Sequence, residues 1–389
     1  MKKTFILFCI TISLFLLLEN NFAIPAFARK YNMSCQTCHS PFPKLKPYGD
    51  EFAGNGFVIA VKDAPRYFID TGDEELSLLR EIPIALRLEA YVTYNNLKSE
   101  RLDFSAPYIL KLISGGALTK NISYYFYFFL GERGEIAGLE DAFIMFNNLF
   151  NQDLDLYAGQ FQVSDPLFKR ELRLTFEDYQ IYRTKPGLTK ANLTYDRGIM
   201  LTYGLPTGTD IVFEILNGTG VGSANKFKIF DDDNYKNFFG RVSQDIVNDI
   251  RLGLFGYYGK ENIEDELKRK FTNTFSMWGP DLKIKLKDRI EFNFQYAQRI
   301  DKQAFYQFSD FKTKGLFGEL IFTPEGDESK WYACALYNWI DSDFDDLDYI
   351  SSTLNLGYLI KRNIRLISEF TYNFEKEFGN FSIGIVSAF

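Results

Sequence analysis

One histidine, His39, occurs in 389 residues. Chemistry that needs two imidazoles from one chain is therefore excluded, bis-histidine iron ligation among it. Cysteine is almost as scarce, with Cys9, Cys35, Cys38 and Cys334 only, so no framework of stapling disulfides is available. No uncharged apolar run reaches the roughly 18 residues of a spanning helix, and the first apolar stretch, Phe5 to Leu18, is too short. A helical membrane protein is excluded. A basic excess is missing too: the net charge of -7 and a pI near 5.1 argue against nucleic acid as a partner and suit cationic ones.

What is abundant is aromatic: Phe 40 and Tyr 24, with aromatics at 17% of the chain. Many of these residues alternate with polar ones. In "RIEFNFQYAQ", Ile290, Phe292, Phe294 and Tyr296 share one face and Glu291, Asn293 and Gln295 the other; "STLNLGYL" and "IRLISEFTY" repeat the pattern. Period-two alternation over about ten residues marks a strand with one apolar and one polar face. About sixteen such segments run from "PIALRLEAYVTY" to "NFSIGIVSAF", each near the 9–11 residues that cross a bilayer as a tilted strand. The links alternate as well. Short polar turns such as "LTKN", "PTGTD", "LKDR" and "IKRN" follow even-numbered segments, whereas residues 164–197, "NGTGVGSANKFKIFDDDNYK" and "DSDFDDLDY" follow odd-numbered ones. The last residue, Phe389, closes an alternating run with Phe381, Ile383 and Ile385. Together these features predict an all-β, transmembrane antiparallel β-barrel of about 16 strands, closed by pairing the last strand with the one near Ile84. Soluble stacked hairpins also alternate, but they carry fewer aromatics and no systematic turn asymmetry.

The first residues pair Lys2 and Lys3 with the short apolar run, the layout of a secretory signal. Cleavage after Ala23 or after Ala28 meets the small-residue rule, and Ala23 is preferred because "AIPAFARKY" belongs with the cysteine-bearing segment C-terminal to it. The expected organisation is a signal over 1–23, a monohaem segment over 24–80 and a barrel over 81–389.

The lone His39 comes directly after Cys35-Gln36-Thr37-Cys38. Cys-x-x-Cys-His suits covalent attachment of one haem c: two thiols form thioethers to the vinyl groups and the next imidazole is carried under the iron. Cys35, Cys38 and His39 are thus the cofactor-binding residues, with His39 the metal ligand. A zinc site would need further ligands, for which only Cys334 remains, and a thioredoxin-like pair would need a βαβ context. The sixth iron position is open, with Met33 near in sequence and Met200 pointing into the lumen as the inward residue of "DRGIMLTYG".

Residues 23–57, "AIPAFARKYNMSCQTCHSPFPKLKPYGDEFAGNGF", resemble the N-terminal segment of the fused monohaem cytochrome-porins of the bacterial outer membrane, a group that includes ferrous-iron-oxidising outer-membrane cytochromes. The matching residues are Pro25, Phe27, Ala28, Arg29, Cys35, Cys38, His39, Pro43, Leu45, Gly49, Phe52, Gly56 and Phe57. The resemblance implies a small haem segment in or on the lumen of an outer-membrane barrel. It also implies electron transfer across that membrane from an external donor such as ferrous iron, or another redox partner, to periplasmic carriers of the cytochrome c or cupredoxin type. The alternative is a solute-diffusion porin with a haem-bearing plug or sensor.

Three further features are singled out. Pro41, Pro43 and Pro47 with Leu45, Tyr48, Phe52 and Phe57 predict a short extended wrap and a helical turn or two after the motif. The link "DPLFKRELRLTFEDYQIYR" could fold inward as a constriction, where Arg170, Arg173 and Arg183 form loop salt bridges, line a pore or bind haem propionates. The acidic loops carry Asp341, Asp343, Asp345, Asp346 and Asp348, and Asp231 to Asp233, as solvated surface, as a field that concentrates cations, or as a divalent-cation link to anionic surface lipid.

Overall fold

The structure is a computed structural model that describes residues 26–59, 68–96, 101–136, 138–231, 233–306 and 310–389. The expected signal, residues 60–67 of the expected monohaem segment and Asp232 lie outside these residues. Among the described residues sixteen strands close into one antiparallel barrel. They are β1 (Ile84–Asn95), β2 (Arg101–Ala117), β3 (Ile122–Glu132), β4 (Gly138–Phe146), β5 (Leu154–Gln162), β6 (Tyr195–Leu205), β7 (Thr209–Leu216) and β8 (Asn237–Val247), continuing with β9 (Ile250–Glu264), β10 (Lys270–Leu286), β11 (Ile290–Asp301), β12 (Phe311–Phe322), β13 (Trp331–Ser342), β14 (Tyr349–Lys361), β15 (Ile364–Asn373) and β16 (Phe378–Ala388). The count and the closure match the sequence expectation. β16 pairs with β1 from Asn380↔Asn95 to Ala388↔Arg87, so no strand edge is left to be satisfied by water.

Alternation translates into sidedness. On β14, Leu354, Leu356, Tyr358 and Ile360 are exposed outward, while Thr353, Asn355 and Leu359 are buried inward. The same holds on β16, where Phe381, Ile383 and Ile385 face out and Ser382 and Val386 face in. An outward belt of this kind is stable only when hydrocarbon covers it. Seven links come after the even-numbered strands at one end, among them 206–208, 248–249 and 362–363, and the longest links, 163–194 and 217–236, lie at the other. These are the short-turn and long-loop ends.

The lumen is filled rather than open. Residues 163–194 leave β5, fold inward and return, with Val163 N–H donating to Thr194 C=O at 2.7 Å where the two arms meet. The loop carries a short helix, Gln180–Arg183, and it supplies Val163, Leu167, Tyr179, Ile181, Tyr182, Ala191 and Leu193 to a buried cluster. The wall answers with inward Phe239, Phe255, Tyr257, Phe275, Phe317 and Leu336. Tyr179 stacks on Phe317 with ring centroids 4.1 Å apart. Each such side chain contributes roughly 1.5–3 kcal/mol when removed from water, so this is a hydrophobic core placed where a diffusion pore would hold solvent.

Polar contacts fix the rest of the loop. Glu369 on β15 accepts the backbone N–H groups of Phe176 and Glu177, each at 2.7 Å, and Glu171 takes the buried ammonium of Lys111, which lies over the rings of Tyr127 and Phe129. Arg170, Arg173 and Arg183 gather round Asp178, the first through Nε at 2.9 and 2.8 Å from its two oxygens. Of the roles open to these arginines, loop salt bridging is the one observed. Burial pushes the Asp178 carboxyl up, but the three guanidiniums outweigh it and hold the group below the usual carboxylate range. A carboxylate with a depressed folded-state value stabilises the fold above its unfolded value, about 3.9, and this contribution is lost as pH falls through the folded value. Asp178→Asn is expected to cost about 3–5 kcal/mol by leaving buried guanidiniums uncompensated. A lower thermal midpoint at pH 7, converging on the parent's in strong acid, is the measurement that checks it.

Candidate functional site

The residues before the barrel build a small plug at the short-turn end. Helix α1 (Ala26–Tyr31) leads into a 3₁₀ turn, Cys35–Thr37, capped by the Ser34 hydroxyl accepting Gln36 N–H at 3.3 Å. Cys38 and His39 N–H both donate to Cys35 C=O, at 3.2 and 2.9 Å, which holds the two cysteines and the histidine on one tight turn. In the hairpin after it, His39 opposes Leu45, Ser40 N–H donates to Lys44 C=O and Lys46 N–H donates to Cys38 C=O. Helix α2 (Pro47–Gly54) then starts on a proline, whose missing N–H costs nothing at a helix start.

Gly49 is where α2 meets the motif. A Cβ there would lie 2.4 Å from the Cys38 carbonyl oxygen, a backbone atom that cannot move aside. Gly49→Ala is therefore expected to displace α2 from the turn at a cost of about 1–3 kcal/mol. Limited proteolysis between residues 30 and 60, faster in the variant with the barrel intact, would report it.

A unit this small cannot enclose a core of its own. Phe27, Phe52 and Phe57 form an aromatic box, Phe27 stacked on Phe57 at 4.8 Å and Phe52 edge-on to both, and the Tyr31 hydroxyl donates to Phe57 C=O at 2.5 Å. The rest of the cover comes from the barrel. Phe57 stacks on Tyr125 of β3 at 5.4 Å, and Phe42 packs with Tyr91, Ile367, Val386 and Ala388 across the seam where β16 meets β1. Gly56, at φ +68°, lies so near Ser123 and Asn147 that a Cβ would stand 2.3 Å from the Ser123 hydroxyl. Ionic contacts complete the dock: Lys44 with Glu291 at 2.7 Å, Lys46 with Asp327, and Asp50 with Lys169 of the inward loop at 3.2 Å. The Gln36 amide donates to Asp327 C=O and Glu328 at 2.5 and 2.8 Å. The wrap and short helix expected after the motif are present, with Phe52 and Phe57 buried and Tyr48 exposed.

Cys35 and Cys38 are free thiols, half-buried, and burial raises both above the ordinary thiol value, so they stand protonated. The His39 imidazole is half-buried, edge-on to Phe42 at 5.4 Å. Its Nδ1 lies 2.7 Å from Pro43 C=O. A carbonyl can only accept, so Nδ1 carries the proton and the lone pair resides on Nε2. Burial lowers the ring's basicity more than the backbone carbonyls of Pro43 and Lys44 raise it. The result is a neutral imidazole of fixed tautomer with the Nε2 lone pair unused by Pro43. Two thiols and one oriented imidazole are the donor set that haem c attachment requires. Among the described residues no three His, Cys, Asp or Glu side chains converge as a metal cluster would.

The other candidates have ordinary places in the fold. Cys334 is buried on β13, its Sγ 3.7 Å from Glu319, in a cluster with Leu174, Ile321 and Tyr332. Met200 points inward as expected and packs in the luminal core; Met33 lies beside α1, its N–H on Ala28 C=O. Several acids of the long-loop end shape their own loops: Asp348 accepts Ser342 N–H at 2.9 Å, Asp343 accepts Lys312 N–H at 2.8 Å, and Asp233 accepts Tyr235 N–H at 2.7 Å. What sequence reading missed is the proton on Nδ1 and the pairing of Lys44 with Glu291; Pro43, four residues after His39, was the available signal for the first.

No protein-family model matches the chain, and no curated protein matches it. Solved structures do. An anion-selective porin from Comamonas acidovorans superposes with TM-score 0.57 at 12% identity, covering 79% of this chain and 99% of that one. The trimer form of OmpT, an outer membrane protein of Vibrio cholerae, gives 0.56 at 11% with the same coverage, and Pseudomonas putida OprB gives 0.55 at 11%, covering 79% and 94%. At these identities the likeness is one of fold: a porin-like sixteen-stranded barrel.

Proposed function

We propose that this chain is an outer-membrane electron-transfer protein in which one haem c, held by Cys35 and Cys38 with His39 as proximal ligand, sits in a plug at the periplasmic mouth of the barrel. The observation that carries the proposal is the Nδ1–H to Pro43 C=O bond, which presents Nε2 as a ligand beside two free thiols. Short turns face the periplasm in barrels of this kind, and covalent haem attachment takes place on that side of the inner membrane. A secretory signal over 1–23 takes the chain there. Cleavage after Ala23 keeps Phe27 in the aromatic box, whereas cleavage after Ala28 would remove it, so intact mass is expected to give Ile24 as the first residue.

The haem, when bound, supplies one-electron redox chemistry. This chain's residues do the remainder. The Cys35–His39 turn anchors and orients, Pro43 fixes the imidazole, and Phe42, Phe52 and Phe57 restrict water, which raises a haem's potential. The outward belt engages outer-membrane lipid. An extracellular donor such as ferrous iron would pass electrons inward and a periplasmic cytochrome c or cupredoxin-like carrier would accept them, making the chain a ferrous-iron oxidase in effect. The diffusion-porin alternative is opposed by the luminal core of Tyr179, Tyr182 and Phe317.

A redox titration of the purified protein with spectra of both states tests the reading. One c-type haem per chain, reducible by ferrous iron, is the expected result. A colourless protein with no mass added to the chain ends the proposal.

A further inference from the structure

The filled lumen sets a problem of distance. His39 lies in the plug at the short-turn mouth, an external donor meets the protein at the long-loop end, and the buried core of Tyr179, Tyr182 and Phe317 stands in the lumen. An electron that makes the crossing must pass through packed protein. Interiors are close-packed, and tunnelling falls off less steeply through atoms in contact than across a gap. An unbroken file of rings from one end to the other is the medium that favours it.

Among the described residues two such files lead from the plug. One starts at Phe57, stacked on Tyr125 of β3 at 5.4 Å, and continues to Phe143 of β4 at 5.5 Å and Tyr157 of β5 at 5.3 Å. Tyr125, Phe143 and Tyr157 are each the fourth residue from the short-turn end of their strand, so this file runs sideways round the wall and stays in the short-turn half.

The other starts at His39 itself. Its ring meets Phe42 edge-on at 5.4 Å, and Phe42 shares a buried cluster with Tyr91 of β1, against which Tyr108 of β2 and Phe176 of the inward loop pack. Those three rings form a triangle: Tyr91 to Phe176 at 4.6 Å, Phe176 to Tyr108 at 4.9 Å and Tyr91 to Tyr108 at 5.3 Å. Glu369 accepts the Phe176 N–H at 2.7 Å and Glu89 accepts the Tyr91 hydroxyl at 2.6 Å, which holds the triangle in place. Tyr108 stands at its outer corner. The Tyr108 C=O accepts the N–H of Arg133 at 2.8 Å in the link after β3, at the long-loop end, and the exposed Arg133 guanidinium lies 6.0 Å from the Tyr108 ring.

We infer that Tyr108, Phe176, Tyr91 and Phe42 form the electron path of this protein, with the surface at Tyr108 and Arg133 as the point where the external donor delivers. The inference rests on the haem reading above and adds to it where the electron enters and which side chains carry it. One electron leaves a ferrous ion, which becomes ferric, and reduces the ferric haem iron to ferrous. The four rings are neither oxidised nor reduced and no proton moves; they couple the two ends. The coupling belongs to the ring and not to the hydroxyl, so Phe can replace Tyr along the file and Leu cannot.

The test uses haem-loaded protein carrying R133C, labelled on that thiol with a ruthenium polypyridyl photosensitiser. Cys35 and Cys38 are taken up in thioethers and Cys334 is buried, so the label goes to one place. After a laser flash the sensitiser gives one electron to the ferric haem, and transient absorbance reads the rate with no donor binding involved. Y91L and Y108L should each slow it several-fold at the parent's haem content and midpoint potential. F176L should slow it less, because Tyr91 and Tyr108 stay in contact. Y91F, and F143L in the sideways file, should leave it unchanged. Stopped-flow reduction of the unlabelled variants by ferrous iron should rank them in the same order. A parent protein without covalent haem overturns both this inference and the function it rests on. A loaded protein whose flash rate ignores Y91L and Y108L overturns this inference alone, and if Y91L does not assemble, Y108L decides. A Y91F as slow as Y91L overturns the assignment to the rings and gives the effect to the Tyr91–Glu89 bond. Flash rates that fall while the ferrous-iron rates do not overturn Tyr108 and Arg133 as the point of entry.

Discussion

Replacing Cys35 and Cys38 together by Ser is expected to yield an assembled barrel with no covalent haem. The two thiols stand on one turn, held by the Cys38 and His39 N–H bonds to Cys35 C=O, and no other cysteine of the described chain can substitute, since Cys334 is buried on β13 against Glu319. Thioether chemistry has no other nucleophile there. The haem signal of the denatured protein should fall to background and the chain mass should drop by one haem. Barrel assembly should survive, because sixteen strands closed from β16 to β1 satisfy their own backbone groups without the plug. Heat-modifiable gel mobility would track the barrel and absorbance the haem, so the two effects are read separately. His39→Ala should behave differently, keeping covalent haem through the thiols while the spectrum loses the imidazole's contribution. Unchanged haem content in the double Ser variant would remove the basis for assigning the motif.

The second large effect concerns permeability. The parent protein in planar bilayers is expected to show no porin-sized current steps, and a variant in which residues 165–192 are replaced by a short Gly-Ser link is expected to show them. The substitution is geometrically mild because Val163 and Thr194 are already hydrogen-bonded at 2.7 Å, so the two ends of the loop meet. Removing it takes away Leu167, Tyr179, Ile181, Tyr182 and Ala191 and leaves the wall's Phe239, Phe255, Phe275 and Phe317 facing water. Deleting residues 26–59 instead should leave the current low, since the plug occupies the short-turn mouth and the hydrophobic seal lies in the other half of the lumen. Porin-sized steps from the parent would refute the sealed lumen and restore the diffusion reading.

Much of this architecture is legible in the chain. Strand sidedness needs only nearest-neighbour alternation, as in β14 and β16, and the even count comes from turn lengths. The motif is likewise local, because Cys35, Cys38 and His39 share one turn. The filled lumen left a fainter trace. "FFGRV" and "LFGYYG" break the apolar-polar rule by putting Phe239, Phe255 and Tyr257 on the face that an aqueous pore would make polar. Those inward aromatics anticipate a core, but nothing local says what fills it.

By itself, then, the sequence determined the barrel, its closure, its orientation-setting turns and the Cys-x-x-Cys-His motif, all of which depend on residues within one strand or one turn of each other. Tertiary structure alone decided that the inward loop packs a core against β8 to β13, that Phe42 seals the β16–β1 seam, and that Lys44 meets Glu291 across 247 residues. The reason is physical: burial and ion pairing are set by which surfaces meet once the barrel has closed, and no short-range pattern encodes a meeting between segments that far apart.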